Sequence, residues 1–349
     1  MRACNFKNAF ILLAAAFTLS ACNPDAADHQ LAVFGGLTMG TTWSVKVVDL
    51  PKTSAQSTVD DDINKTLSTI SRSMSTYDKE SELSRFNSSS STVWFPVSDA
   101  LIEVLDAARA VSEMTDGAYD VTVGPLVNLW GFGPQDTHDK IPARGAIESA
   151  RARTGYHNLE LRQIPAAIRK RLPALYVDLS SIAKGYAVDR VARLLEGQGI
   201  ENYLVEIGGE LRGKGHNQRG TAWRIGIERP SANERAVYKA LELDRSGLAT
   251  SGDYRNYFEH DGQRYSHTIN PLTGQPVTHK LASVTVIAAS AMRADALATA
   301  LMVLGPQNGY ALAEHEGIAA FFIVKVGKGF TDKASPAFMQ YQARHNGQT

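Results

Sequence analysis

Both cysteines of this 349-residue chain, Cys4 and Cys22, lie within its first 22 residues. Everything after them must fold without a disulfide, and no thiolate nucleophile or Cys-ligated metal group is available to it. Order therefore has to come from apolar burial, and 44% hydrophobic residues at this length provide one large core or two medium ones. Lys and Arg (36) balance Asp and Glu (36), so the basic excess typical of a nucleic-acid binder is missing. Charged and aromatic fractions of 21% and 8% exclude wholesale disorder.

The first residues read as a targeting segment. Arg2 and Lys7 precede an 11-residue apolar run, Ala9 to Leu19, too short to span a bilayer but suited to a signal-peptide core. It ends in Leu19-Ser20-Ala21-Cys22, which resembles a bacterial lipobox with Cys22 as the acylated residue. The organisation expected is a signal peptide over 1–21, a tether over 22–30, a single domain over 31–332 and a polar C-terminal tail over 333–349. The chain would be lipid-anchored to a bacterial membrane, facing the periplasm.

Periodicity outlines the domain. Thr41 to Val48 alternates like a strand, and Ile63, Leu67, Ile70 and Met74 mark one face of a helix over 58–77, with Asp60, Asp61 and Asp62 in its first turn. Ser98 caps a helix running to Thr115, and Asn87 to Thr92 is a loop. A third helix covers Ser180 to Glu196. Strands follow over 203–207, 223–228, 237–243, 255–259 and 282–288, then a helix over 291–304 and a strand over 317–326. Helices and strands mix without strict βαβ alternation and without a repeat, which predicts an α/β fold of the α+β type: one large domain of antiparallel sheets and packed helices.

No phosphate-loop, GxGxxG, HExxH or GxSxG pattern is present, which removes weight from nucleotide-hydrolase, dehydrogenase, zincin and α/β-hydrolase readings. Four segments remain. Thr115 to Pro125 places two acids and several turn-formers between a helix end and an apolar run; it is either a ligand loop or a helix C-cap followed by a capped helix start. In Tyr176 to Tyr186 a strand delivers Asp178, and Ser180 or Ser181 opens a helix whose free N–H groups suit a phosphate, with Lys184 one turn in; a plain Ser-capped helix is the alternative. His267 ends a polar strand just before the turn Asn270-Pro271-Leu272-Thr273-Gly274, where catalytic groups gather, though a lone His is commonly structural. Asp295 and Thr299 stand at i and i+4 on one helix face, two hard oxygens that suit Mg²⁺ or form a local hydrogen bond.

Taken in order, MGTTW, MSTYDKESELSRFN, DGAYDVTVGPLVNLWGFG, VDLSSIAKGYAVD, VEIGGELRGKG, SHTINPLTGQPV and ADALATALMVLG resemble the ApbE family of flavin transferases over roughly 39–326. The resemblance implies an enzyme that binds FAD and Mg²⁺, cleaves the pyrophosphate, attaches FMN through a phosphoester to a threonine of a target protein, and releases AMP. Implied targets are membrane redox complexes of the Nqr and Rnf type. By motif position it places Met39, Tyr77, Ala118, Tyr119, Asp120, Asp178, Lys184 and Ile269 at the flavin nucleotide. It assigns the metal to Ser181 (through its main-chain carbonyl), Asp295 and Thr299, and activation of the acceptor hydroxyl to His267. Some family members carry an acid where this chain has Lys184 and a second acid where it has Ala298; a Lys favours the phosphates, and the missing carboxylate leaves the metal to Asp295 and Thr299. Two rival readings share these residues: an Mg²⁺-dependent FAD pyrophosphatase giving FMN and AMP, and a non-catalytic flavin-binding lipoprotein.

Overall fold

A computed structural model describes residues 29–134, 141–231, 236–253, 257–260 and 263–345. The expected signal peptide and Cys22 lie outside the described residues. Eight strands form the central sheet: β1 (Leu31–Thr38), β2 (Thr41–Val48), β3 (Asn202–Ile207), β4 (Glu210–Lys214), β5 (Ser246–Gly252), β6 (Leu281–Ala288), β7 (Ala319–Val326) and β8 (Gly329–Ala334). Their spatial order is their chain order, and every neighbouring pair is antiparallel. The helices are α1 (Gln56–Met74), α2 (Glu82–Ser88), α3 (Asp99–Met114), α4 (Gly124–Leu129), α5 (Arg144–Arg151), α6 (Ala183–Gly197), α7 (Ala291–His315) and α8 (Pro336–His345). This is the antiparallel α+β architecture the patterning predicts.

Alternation sorts side chains to the two faces of the sheet. Along β7, Ala320 and Phe322 join the main core beneath α1, α6 and α7, whereas Phe321 and Ile323 join a second core. That second core is closed by α8 and by the hairpin Trp223–Glu228/Val237–Leu243. Burial on both sides explains why β6 and β7 are apolar on both faces, with the buried Ser283 and Thr285 interrupting β6. A third, smaller cluster holds Leu126, Trp130, Ile147 and Ile269.

Several boundaries differ from expectation. α1 begins at Gln56, so Asp60 to Asp62 fall beyond its first turn, which contains no acid. The Ser/Asn-rich stretch after Asn87 is preceded by an unpredicted short helix, α2, capped by Ser81 through its bond from Ser84 N. The helix expected over 291–304 does break there, at the non-helical Gly305 (φ 77°), and what was not expected is the second helical stretch that runs from Pro306 to His315 and completes α7. The segment 333–349, read as a polar tail, is folded through residue 345: Lys333 lies in β8, and α8 buries Phe338 and Tyr341 against the second core. Its apolar residues are too few and too widely spaced among Gln, Arg and His to signal a core helix.

The start of α7 is fixed with particular care. The Asp189 carboxylate accepts from Ala291 N (3.0 Å) and Met292 N (2.9 Å), capping orphan helix donors, and is itself paired with Arg212 (2.9 Å). Ser290 Oγ accepts from Arg293 N at 3.1 Å. Glycines flank the same turn. A Cβ on Gly185 of α6 would sit 2.3 Å from Ala291 O, and one on Gly247 of β5 would sit 2.1 Å from Ala291 N. Only glycine permits these approaches, and they bring the first turns of α6 and α7 together.

Candidate active site

The clasp between α6 and α7 places charged groups beside one another. Asp295, one turn into α7 and 4% exposed, accepts from Gly185 N of α6 at 3.1 Å. Lys184 Nζ lies 4.0 Å from Asp295 Oδ2 and 2.9 Å from Glu210 Oε1 at the start of β4. Burial, reinforced by the charge of Asp295, pushes Glu210 up to about 7 against the pull of Lys184. Burial also raises Asp295, opposed by Lys184 and by the Gly185 amide. Burial alone would lower Lys184, but the two carboxylates override it and hold its ammonium above the ordinary lysine range.

Lys184 also reaches a cleft of about 140 Å³ whose walls include Met39, Ile70, Met74, Tyr77 and Ser180. Met39 stands at the tip of the β1–β2 hairpin with φ 48°, followed by Gly40 at 71°. The paired positive values form the two-residue turn that suits a twisted hairpin, although a methionine there is strained. Tyr77, 69% exposed, stands at the opposite wall after α1.

Behind the cleft, Ser181 Oγ donates to Tyr119 OH at 3.1 Å. Burial drives the Tyr119 phenol strongly upward against the Ser181 hydrogen bond, and the charges of Asp295, Asp120 and Asp178 add to the rise. Asp120 is committed to shaping its loop. Its Oδ1 accepts from Thr122 N and Oγ1, both at 2.7 Å, and its Oδ2 accepts from Tyr156 N at 2.8 Å. Both structural readings of this segment hold: Gly117 N returns to Ser112 O as a helix C-cap, and Asp120 caps the short 3₁₀ turn Val121–Val123. Ala118 is buried between the two.

The Asp178 segment departs from expectation. Residues 176–178 form no strand; the Asn87 side chain substitutes for a partner, donating to Val177 O and accepting from Val177 N, both at 2.8 Å, and Asp178 N donates to Val121 O at 2.7 Å. Nor does either serine cap α6. The helix starts at Ala183 after Ile182, Ser180 N is turned onto Asp178 Oδ1 (2.8 Å), and Ser181 faces Tyr119. Thr299 shares a face of α7 with Asp295, but its hydroxyl meets Ser251 Oγ of β5 at 3.3 Å.

His267 and Ile269 belong to a neighbouring aromatic layer. His267 follows the strand Gln263–Ser266, and its ring stands edge-on to Phe132 at 6.3 Å. Phe132, Phe258, Tyr265 and Trp130 continue the stack at 5.0–5.8 Å. Ile269 is buried against Trp130, whose Nε1 donates to Gly274 O at 2.9 Å. The turn after Ile269 brings Leu272 against Gly117, joining the His267 segment to the Ala118–Asp120 loop.

Glu210 is the residue of the charged cluster that the sequence motifs did not single out. It sits inside the VEIGGELRGKG block, where a carboxylate opening a strand after two glycines (Gly208, φ 65°; Gly209, φ 106°) was the available signal. Only its partner, Lys184, distant in sequence, makes it conspicuous.

The fold is an antiparallel α+β sheet with a lysine–carboxylate cluster beside a cleft. The chain belongs to the ApbE family, whose model matches residues 39–322. It is 46% identical over 338 residues, 97% of this chain and all of the other, to the FAD:protein FMN transferase of Vibrio cholerae serotype O1. It is 44% identical to that of Salmonella typhimurium, with 95% and 96% of the two chains covered. Among solved structures, it superimposes on the flavin transferase ApbE from Vibrio cholerae with a TM-score of 0.83 at 46% identity, covering 89% of this chain and 99% of that one. The apo Pseudomonas stutzeri flavinyl transferase ApbE gives 0.83 at 45% identity, with 90% and 97% covered.

Proposed function

We propose that this chain is an FAD:protein FMN transferase: FAD is cleaved at its pyrophosphate, FMN is joined by a phosphoester to a threonine hydroxyl of an acceptor protein, and AMP leaves. The observation that carries this reading is the convergence of Lys184, Asp295 and Glu210 at the end of the cleft bounded by Met39 and Tyr77, in a chain matched along nearly its whole length by transferases of that name. Phosphoryl transfer needs charge neutralisation and in-line positioning more than covalent participation. Met39 and Tyr77 offer the cleft walls to the flavin nucleotide, and the Lys184 ammonium faces its phosphates. The Ala118–Tyr119–Asp120 loop and Asp178 shape the inner side, and the buried Ile269 supports it by packing.

The donor set also suits a hard divalent cation. Asp295, Thr299 and the Ser181 carbonyl offer oxygen, and Glu210 Oε2 is buried with no hydrogen-bond partner among the described residues. Those residues hold no group of three acids, histidines or cysteines arranged for a metal. Ser181, Asp295 and Thr299 would hold Mg²⁺, which when bound supplies charge neutralisation at the pyrophosphate. His267 takes the proton of the acceptor threonine as its oxygen bonds to the FMN phosphorus and the bond to the AMP oxygen breaks. The acceptor is a subunit of an Nqr- or Rnf-type membrane redox complex, and the enzyme is tethered beside it on the periplasmic face through lipid on Cys22.

Chromatography of the nucleotide products tests the reading. With an acceptor present, AMP should appear with no matching free FMN. Equal free FMN and AMP with an unmodified acceptor would make the chain a pyrophosphatase, and intact FAD would leave only a flavin carrier.

A further inference from the structure

Lys184 is in an unusual place for a cation. It is the second residue of α6, where the helix dipole disfavours positive charge. What holds it there is Glu210, 4% exposed, at 2.9 Å, together with Asp295, also 4% exposed, at 4.0 Å. Its stem lies over the Gly208 turn, where an added Cβ would come within 3.1 Å of Lys184 Cδ. Its own side chain keeps 27% exposure and opens onto the cleft, so the ammonium is the one charge of the three that can leave. The trio is also unbalanced. Two carboxylates face one ammonium, and Glu210 Oε2 is buried without a partner among the described residues. A buried, unpaired carboxylate oxygen is costly and attracts a further positive charge.

We propose that Lys184 is a resident counter-cation of the metal site: in the metal-free protein its ammonium offsets half the charge of the Glu210–Asp295 pair, and a divalent cation binds only in competition with it. Glu210 thereby becomes the second carboxylate of the site, setting its charge without needing to ligate. The inference rests on the assignment of Asp295 to the metal made above. A divalent ion approaching Asp295 meets a cluster whose negative charge is half cancelled, so affinity for Mg²⁺ alone is low. The anionic phosphates of a nucleotide in the cleft offer Lys184 an alternative partner and free the carboxylates.

Calorimetric titration of the full-length, detergent-solubilised protein with MgCl₂ alone, nucleotide absent, tests this. Titrated above about pH 8, where Glu210 carries its charge, Lys184→Gln should bind Mg²⁺ at least about tenfold more tightly than the parent, and Glu210→Gln at least about tenfold more weakly, each following one unit of site charge. Without metal, Lys184→Gln should melt lower than the parent; adding Glu210→Gln to it should restore the loss, because the exposed repulsion is removed. Equal or weaker Mg²⁺ binding by Lys184→Gln, with binding still abolished by Asp295→Asn, would overturn the counter-cation and leave the metal assignment intact. Absence of Mg²⁺ binding in every variant at any concentration would overturn both. If Lys184→Gln fails to fold, Lys184→Met, which keeps the stem, and Glu210→Gln carry the same comparison.

Discussion

Replacing Gly185 by alanine probes the link from backbone packing to chemistry. The new Cβ would meet Ala291 O at 2.3 Å, its carbonyl carbon at 2.6 Å and Met292 Cα at 2.7 Å, all backbone atoms of α7 that no rotamer change can move. Restoring a tolerable 3.0 Å contact requires the first turns of α6 and α7 to separate by at least about 0.7 Å. The 3.1 Å bond from Gly185 N to Asp295 then stretches beyond useful length. Overpacking costs about 1–3 kcal/mol and the lost bond to a carboxylate about 1.5–3, offset by up to about 1 kcal/mol of helix propensity. The net loss is about 1.5–5 kcal/mol, which in a domain of this size is a fall of roughly 2–8 °C in melting temperature. Because Lys184 and Asp295 sit on the two separated turns, the transfer rate should fall roughly 10²-fold. Calorimetry and an AMP-release assay measure both. Gly197→Ala, at the far end of α6 with nothing within 4 Å, is the control and should be neutral or slightly stabilising. A Gly185→Ala protein with parental melting and parental rate would refute the reasoning.

Three further outcomes are expected. His267→Gln should lower transfer by about 10²–10⁴-fold while FAD affinity, measured by fluorescence titration, changes less than about twofold; a parental rate would remove His267 from the chemistry. Asp295→Ala should abolish Mg²⁺-dependent turnover, and an intact rate in a magnesium titration would show the metal to be held elsewhere. Lys170 is fully buried and donates to the carbonyls of Phe86 (3.0 Å), Ser89 (2.8 Å) and Leu175 (3.1 Å), so Lys170→Met should cost about 2–4 kcal/mol in chemical unfolding. Burial pulls its ammonium down to about 8. The unfolded lysine, near 10.4, binds the extra proton between those values, so stability should rise as pH climbs from about 8 to about 10. That rise should vanish in Lys170→Met.

Much of the fold was legible because its signals are local. Helix α1 shows its buried stripe Ile63, Leu67, Ile70 and Met74, and the strands 223–228 and 237–243 fall where alternation puts them. The departures share one cause, which is distant partners overriding local signals. Ser180 and Ser181 look like caps, but Asp178 and Tyr119 claim them. Residues 176–178 lack a strand partner and borrow the Asn87 amide. Residues 333–345 look polar, yet Phe338 and Tyr341 find a second core whose main members, Ile225, Leu241, Leu248 and Ile287, are distant in sequence. In the candidate site, Asp295 was readable from helical spacing and Lys184 from its position after the serines. Glu210 was not, because a buried carboxylate is conspicuous only beside the ammonium that keeps it there.

The most direct test of the central claim is the intact mass of an acceptor domain containing the target threonine, incubated with this protein, FAD and Mg²⁺. The account predicts a single added FMN unit, with AMP in solution, and no addition to an acceptor whose threonine is replaced by valine. An acceptor of unchanged mass while AMP and free FMN accumulate would contradict it.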